Sequence, residues 1–371
     1  MKNFFGKQQL KERLTPGMVF IFIAIVVLSV ICARWDTSEP VPAEFKRWSE
    51  DKANEWYAQQ PWMSGCNFIP SNAINQLEMW QEETFSPELI DKELGWAEEL
   101  GFNVMRVFLH SKAWEADKEG FKKRIDEYLT ISMSHGIRTM FVIFDDCWNA
   151  EGEIGKQPEP KVGTHNSGWL KDPFISRRAD KEQLFKELKP YVIDIMTTFK
   201  DDERVVMWDV YNEPNSDDSI PLLEKVFEWG REVNPSQPMT SSVWTFGIDR
   251  ISSVQLKNSD VVSYHSYSGR EVHSQWIKYF KMHNRPVVCT EYMARTIDNC
   301  TFQNVMPLMK EQNVVAINWG FVSGKTNTIY AWNTPIESGE EPEVWFHDIL
   351  RQDKTPYSED EIRVIKECNG K

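Results

Sequence analysis

Several large classes of protein are excluded by what this sequence does not contain. Its seven histidines are scattered, and neither an HExxH nor a CxxC occurs, so no metal-ligand spacing is present. Cysteine is sparse: Cys32 falls near the N-terminus, and Cys66, Cys147, Cys289, Cys300 and Cys368 are odd in number and widely spaced, which rules out a disulfide framework. Cys66 and Cys289 lie inside apolar runs, where a buried thiol acts as a small hydrophobe. No basic block interrupts the main part of the chain, and 56 acidic residues against 42 basic ones leave a formal charge of −14. Such a field repels a polyanion, so nucleic acid is not an expected partner and a neutral or cationic one is. No Gly/Ser/Pro-rich linker divides the 371 residues after the first few dozen positions, which points to one large domain of barrel size.

Long apolar runs are missing too, with one exception. Lys2, Lys7, Lys11 and Arg13 precede MVFIFIAIVVLSVICA at 18–33, the order of a secretory signal or an N-in signal anchor, although slightly short of the roughly 18–20 residues of a comfortable membrane helix. The expectation is an exported protein, periplasmic, at the cell surface or attached to a membrane through 18–33. Cleavage after Ala33, lipid attachment at Cys32 and retention of the segment all stay open. The chain then divides into 1–35 as signal or anchor, 36–58 as an acidic, proline-containing lead-in, and 59–371 as the main domain.

Tryptophan, by contrast, is abundant, at 16 residues. Trp208 and Trp229 read as core anchors, whereas Trp148, Trp169, Trp244 and Trp319 fall near the ends of apolar runs or in loops, where flat aromatic faces suit flat apolar faces such as those of sugar rings. Eight runs read as strands: 62–69, 102–109, 138–145, 205–212, 238–244, 261–267, 286–292 and 314–321. Several are apolar at almost every position, as strands covered on both faces must be. Between them lie helix signatures. Pro87 and Gly101 bracket 86–101, Phe121, Ile125, Leu129 and Met133 recur at helical spacing, and Asp180 with Gln183 and Ser358 with Glu361 have the form of capping boxes. The weakest unit is 245–260, with room for a short helix at most, and the longest loop is expected at 147–173. Eight strands alternating with helices predict an α/β fold, a (β/α)8 TIM barrel.

In such a barrel the C-terminal strand ends converge on one mouth. The residues expected there are Arg106 and His110, Asp145 and Asp146, Asn212 and Glu213, His265 and Tyr267, Glu291, and Trp319. Glu213 and Glu291, on the fourth and seventh strands, would face each other across it. Two opposed carboxyls are the minimum equipment for glycoside hydrolysis, and a separation of about 5–5.5 Å would mean a covalent intermediate and retention.

The ordered set NEP at 212–214, Glu291 in VVCTEY, His265-x-Tyr267 in SYHSY, Arg106 in FNVMRVFL and Trp319 in NWGF resembles clan A of the glycoside hydrolases, most closely its cellulase-like family 5, over roughly residues 60–350. The resemblance implies a retaining hydrolase of β-glycosidic bonds in a poly- or oligosaccharide, working without metal or organic cofactor. It implies Glu213 as acid/base, Glu291 as nucleophile, Asn212 on the sugar 2-hydroxyl, Arg106 holding Glu291 ionised, Tyr267 donating to Glu291, His265 on Glu213 or the sugar, and Trp319 as the floor beneath the bond that breaks. Members of the family commonly place a histidine at the end of the third strand, where this chain has Asp145-Asp146-Cys147-Trp148; Asp146 and Trp148 are therefore candidate sugar contacts, and the sugar is left unnamed. Two rival readings remain at this stage: a transglycosylase using the same two glutamates, and a glycan receptor on an inactive barrel.

Overall fold

The computed structural model describes residues 46–245 and 249–371. The apolar run 18–33 and the first part of the lead-in lie outside the described residues, and no helix among those described is long and apolar enough to cross a membrane.

The strands are β1 (Ser64–Asn67), β2 (Val104–Phe108), β3 (Arg138–Val142), β4 (Val205–Asp209), β5 (Met239–Thr240), β6 (Val262–His265), β7 (Val287–Glu291) and β8 (Val315–Trp319). Each sits inside one of the eight apolar runs, and every strand residue except Arg138 is buried. All ladders are parallel, in the order β5-β4-β3-β2-β1-β8-β7-β6. A single parallel bridge between Val243 and Tyr264 joins the two edges. Strand β5 is short because the chain leaves the ladder at Ser241, whose N–H is taken by the Ser259 hydroxyl. The protein is a (β/α)8 barrel.

The helices are α1 (Glu50–Ala58), α2 (Gln76–Trp80), α3 (Pro87–Glu99), α4 (Ser111–Ala116), α5 (Lys118–Ser134), α6 (Lys181–Phe199), α7 (Ile220–Val233), α8 (Arg250–Asn258), α9 (Arg270–Lys281), α10 (Phe302–Glu311) and α11 (Glu359–Asn369). Helix α8 is the short helix foreseen in the weakest unit. Helices α6 and α11 start where expected, with Asp180 accepting from Gln183 N and Ser358 from Glu361 N. Neither box is reciprocal, because Gln183 Nε2 donates to Glu187 at 2.7 Å and Glu361 pairs with Arg295 at 2.6 Å. On α5, Phe121, Ile125 and Leu129 are fully buried but Met133 is 46% exposed. Steps of four residues overshoot a turn by about 40° each, so the third step leaves the buried face; Arg124, Tyr128 and Ser132 complete that face instead.

The described part of the lead-in is structured. Trp48 is buried, its N–H donates to Asp260 at 2.8 Å, and its carbonyl accepts from Arg285 at 2.7 Å. Trp56 and Tyr57 of α1 pack on a cluster of Met63, Val104, Met140, Val206, Met207, Val261, Val288, Val315 and Ile317. These residues fill the barrel toward the strand starts, so α1 closes its N-terminal end. The opposite end carries the loops, and the longest is 320–358 after β8 rather than 147–173 after β3.

Candidate active site

Arg106 organises the mouth. It is fully buried on β2, and its planar fork is used on all sides. Nη1 donates to Asn67 Oδ1 at 2.7 Å and to Glu291 Oε1 at 2.8 Å, while Nη2 donates to Asp209 Oδ2 at 2.8 Å and to Asn212 Oδ1 at 2.7 Å. A rigid guanidinium can hold four partners in fixed directions, which a lysine cannot. Its charge is balanced by Asp209 as well as by Glu291.

Glu291 ends β7. Besides Arg106 it receives the Tyr267 hydroxyl on Oε2 at 2.8 Å. Glu213 follows β4 in the left-handed backbone region, at φ 44°, a conformation that costs a non-glycine residue about 1–3 kcal/mol and is concentrated at functional sites. Its Oε1 lies 2.8 Å from His265 Nδ1, and its Oε2 accepts from the Cys147 thiol at 3.1 Å. One oxygen of each glutamate and a ring nitrogen of His265 all fall within 4.8 Å of one another. Burial pushes both carboxyls above the ordinary glutamate range. For Glu291 that rise is opposed by His265, Arg106 and Tyr267 and reinforced by Glu213; for Glu213 it is opposed by the Cys147 hydrogen bond and by the Arg106 and Lys171 charges. Burial also lowers His265 to about 4, so the ring is neutral near pH 7, and its Nε2 has no partner among the described residues.

Asn212 is held from both sides. Its Oδ1 accepts from Arg106, and Nδ2 donates to Asp145 at 2.9 Å and, in a long contact, to Cys147 Sγ at 3.9 Å, a weak acceptor that a sugar hydroxyl can displace. Asp145 is buried and accepts also from Trp169 Nε1 at 2.6 Å and Cys147 N at 3.0 Å. Burial lifts it to about 7 against those hydrogen bonds. It orients its neighbours and does not border the cavity.

These groups surround a cavity of about 380 Å³ bordered by Asn212, Glu213, His265, Tyr267, Glu291, Trp319, Trp148 and Trp244, all of them expected at or near the mouth. Trp148 is 45% exposed at its rim. Three expectations fail. Asp146 faces away from the cavity, where its carboxylate is taken by Arg178 at 2.5 Å and Ser219 at 2.7 Å; adjacent residues after a strand point opposite ways, and Asp145 takes the inward direction. His110 is buried as the N-cap of α4. Trp169 is buried edge-on to Trp319, with ring centroids 5.5 Å apart, so it backs the floor instead of forming a platform.

The sequence reading missed Cys147, Asp209, His165, Asn166 and Trp332. Asp209 lies four residues before Glu213 in WDVYNEP, and that proximity was its only signal. Trp332 belongs to the stretch after β8, which has no strand or helix pattern to draw attention to it.

A family model described as Cellulase (glycosyl hydrolase family 5) matches residues 72–324. No curated protein matches the sequence. Solved structures match the fold at low identity: a glycoside hydrolase family 5 mannosidase from Rhizomucor miehei (14% identity, TM-score 0.54, covering 82% of this chain and 92% of that one), GH5_18 from Streptomyces cattleya (12%, 0.56, 82% and 79%), and the exo-β-1,4-mannosidase Op5Man5 from Opitutaceae bacterium strain TAV5 (16%, 0.59, 83% and 59%).

Proposed function

The chain belongs to glycosyl hydrolase family 5 and is a glycoside hydrolase acting on O-glycosyl bonds; from that footing we propose that it cleaves β-linked oligo- or polysaccharides with retention, through Glu213 and Glu291. One observation carries the reading. One carboxyl oxygen of each lies within 4.8 Å of one of the other, which fits the close pairing of retaining enzymes, whose carboxyls stand ~5–5.5 Å apart.

The roles follow from the partners. Glu291 has the Arg106 guanidinium and the Tyr267 hydroxyl on its oxygens, both of which stabilise a carboxylate, so it is the group held ready to attack. Glu213 has no cation in hydrogen-bond contact and meets a neutral imidazole and a thiol; burial favours its protonated form, as an acid requires. In the first step an oxygen of Glu291 bonds to the anomeric carbon as the bond to the leaving oxygen breaks, and Glu213 gives that oxygen its proton. In the second, Glu213 takes a proton from water, the water oxygen bonds to the anomeric carbon, and Glu291 leaves. Arg106 and Asn212 stay fixed throughout, and the Asn212 N–H in long contact with Cys147 Sγ turns to the sugar. Trp319 lies under the site, and Trp244, whose Nε1 donates to Pro214 O at 3.1 Å, flanks the leaving-group side. Several fold neighbours are mannosidases or mannanases by name, which makes β-mannosides the first substrates to try. Export rests on the order of basic and apolar residues in 1–33 alone.

The test is turnover of aryl β-mannosides, β-glucosides and β-xylosides, each with an activated and with a poor leaving group, by the wild type, Glu213→Gln and Glu291→Gln. The wild type is expected to turn over at least one, and each variant to lose at least about 100-fold in kcat/KM on a substrate with a poor leaving group. Silence of the wild type on all of them, with glycan binding retained in all three proteins, would instead identify a receptor.

A further inference from the structure

The loops at the mouth are uneven. Those after β4, β5, β6 and β7 are short, whereas 68–86 (which holds the single turn-and-a-half of α2), 143–174 and 320–358, after β1, β3 and β8, are long. The three long loops are bonded into one body. Asn166 N donates to Thr326 O at 2.8 Å, Ile336 N to Gly163 O at 3.1 Å, and Lys325 N to Ser71 O at 2.9 Å. Asn75 Nδ2 donates to Gly168 O at 2.9 Å, and Asn327 Nδ2 to Lys161 O at 3.0 Å. Two glycines show how tightly the loops meet. A Cβ on Gly163, which has φ +58°, would fall 1.9 Å from Ile336 O, and one on Gly324 would fall 2.2 Å from Ser71 O. Backbone lies against backbone at both places, so the barrier is continuous.

This wall stands over β8, β1 and β3, across the ring from Trp244 after β5. The acid Glu213 and Trp244 mark the side on which the leaving group departs. Loop 143–174 starts beside that acid, with Cys147 on Glu213, but by Asn166 it has reached Asn67, Phe108, Trp319 and Thr326, so the wall there stands beyond the sugar whose anomeric carbon is attacked. It presents His165, Asn166 and Trp332 to the cavity. His165 is fixed by its Nδ1 contact with Tyr330 O at 2.8 Å, and the Trp332 ring meets Tyr267 edge-on at 4.9 Å. Asn166 is 2% exposed, yet its Oδ1 has no hydrogen-bond partner among the described residues. A buried acceptor left empty costs about 1–3 kcal/mol, so one beside a binding cavity marks the place of a ligand donor. At about 380 Å³ the cavity is at the small end of the ~300–1,000 Å³ of small-molecule sites.

We propose that the wall makes this a blind pocket for one terminal sugar, with Asn166 accepting a hydroxyl of that sugar, so that the enzyme removes single residues from the non-reducing end and does not cut within a chain. The proposal rests on the retaining-glycosidase reading of Glu213 and Glu291 and adds the form of substrate to it.

The experiment uses β-1,4-linked tetrasaccharides of mannose, glucose and xylose in two forms: reduced with borohydride at the reducing end, or capped at the non-reducing end by a 4,6-acetal (for xylose, a 4-O-methyl group). Activated aryl monoglycosides serve as controls. The expected result is monosaccharide as the first and only early product from a reduced tetrasaccharide, at least a 100-fold lower rate on its capped form, and at least a tenfold loss of kcat/KM in Asn166→Ala with an unchanged melting curve. Disaccharide among the first products, or equal rates on capped and reduced forms, would overturn the blind pocket while leaving the glycosidase reading intact. An unchanged kcat/KM in Asn166→Ala would remove Asn166 from the proposal. No turnover of any substrate, aryl glycosides included, would instead overturn the glycosidase reading and this inference with it.

Discussion

At the scale of single residues, the contact that most distinguishes this mouth is the thiol of Cys147 on Glu213 Oε2 at 3.1 Å. A donor to a carboxylate favours its ionised form and opposes the upward push of burial. Removing it leaves Glu213 holding its proton more tightly. In the proposed role of acid, Glu213 must be protonated to act, so activity falls as pH rises through its pKa, and Cys147→Ala should move the alkaline limb of kcat/KM to higher pH. A pH–rate profile on an aryl glycoside with a poor leaving group checks this; a limb that stays in place, or moves toward acid, would mean that the thiol does not tune the acid. Glu213, Glu291, Asn212, His265 and Tyr267 were readable because a strand end in a barrel dictates where its side chain points. Cys147 was not, since a lone cysteine in DDCW carries no periodicity and gains its role only by lying beside a residue 66 positions away.

Whole elements were readable to the extent that their environment is uniform. Strands covered on both faces become unbroken apolar runs, and each of the eight appeared as one. The helical face of α5 was misjudged at Met133 because a pattern of fours drifts off the buried side. The lead-in hid its helix because α1 is mostly polar, and its two contacting aromatics, Trp56 and Tyr57, are adjacent in sequence instead of spaced by a turn. Its packing against the barrel end has a measurable consequence. A chain beginning at residue 46 keeps Trp48 and α1, whereas one beginning at 59 exposes the Met63, Val104 and Met140 cluster and loses the bonds of Trp48 to Asp260 and Arg285. At about 1.5–3 kcal/mol for each large side chain removed from its buried contacts, the shorter chain should be at least about 3 kcal/mol less stable in urea unfolding. Equal stability would mean that α1 is only an appendage.

For the molecule as a whole, an even barrel supports an uneven rim. In the proposed reading the chemistry sits at the ends of β2, β4, β6 and β7 and the wall is built by loops after β1, β3 and β8, so that reaction type and substrate form are carried by different parts of the chain. The first was legible in the sequence through the strand ends. The second was not, because the wall consists of backbone bonds between loops far apart in sequence, such as Ile336 to Gly163 and Lys325 to Ser71. The formal charge of −14 suits a neutral sugar and disfavours an anionic one. The central claim is that Glu291 forms a covalent bond to the sugar while Glu213 serves as acid and base. The most direct measurement is the intact mass of the protein after incubation with the 2-deoxy-2-fluoro aryl glycoside of whichever sugar is turned over, followed by peptide mapping. One label per chain, on the peptide carrying Glu291, is the expected result; a label on Glu213 or Cys147, or no label at all while the parent sugar is hydrolysed, would contradict it.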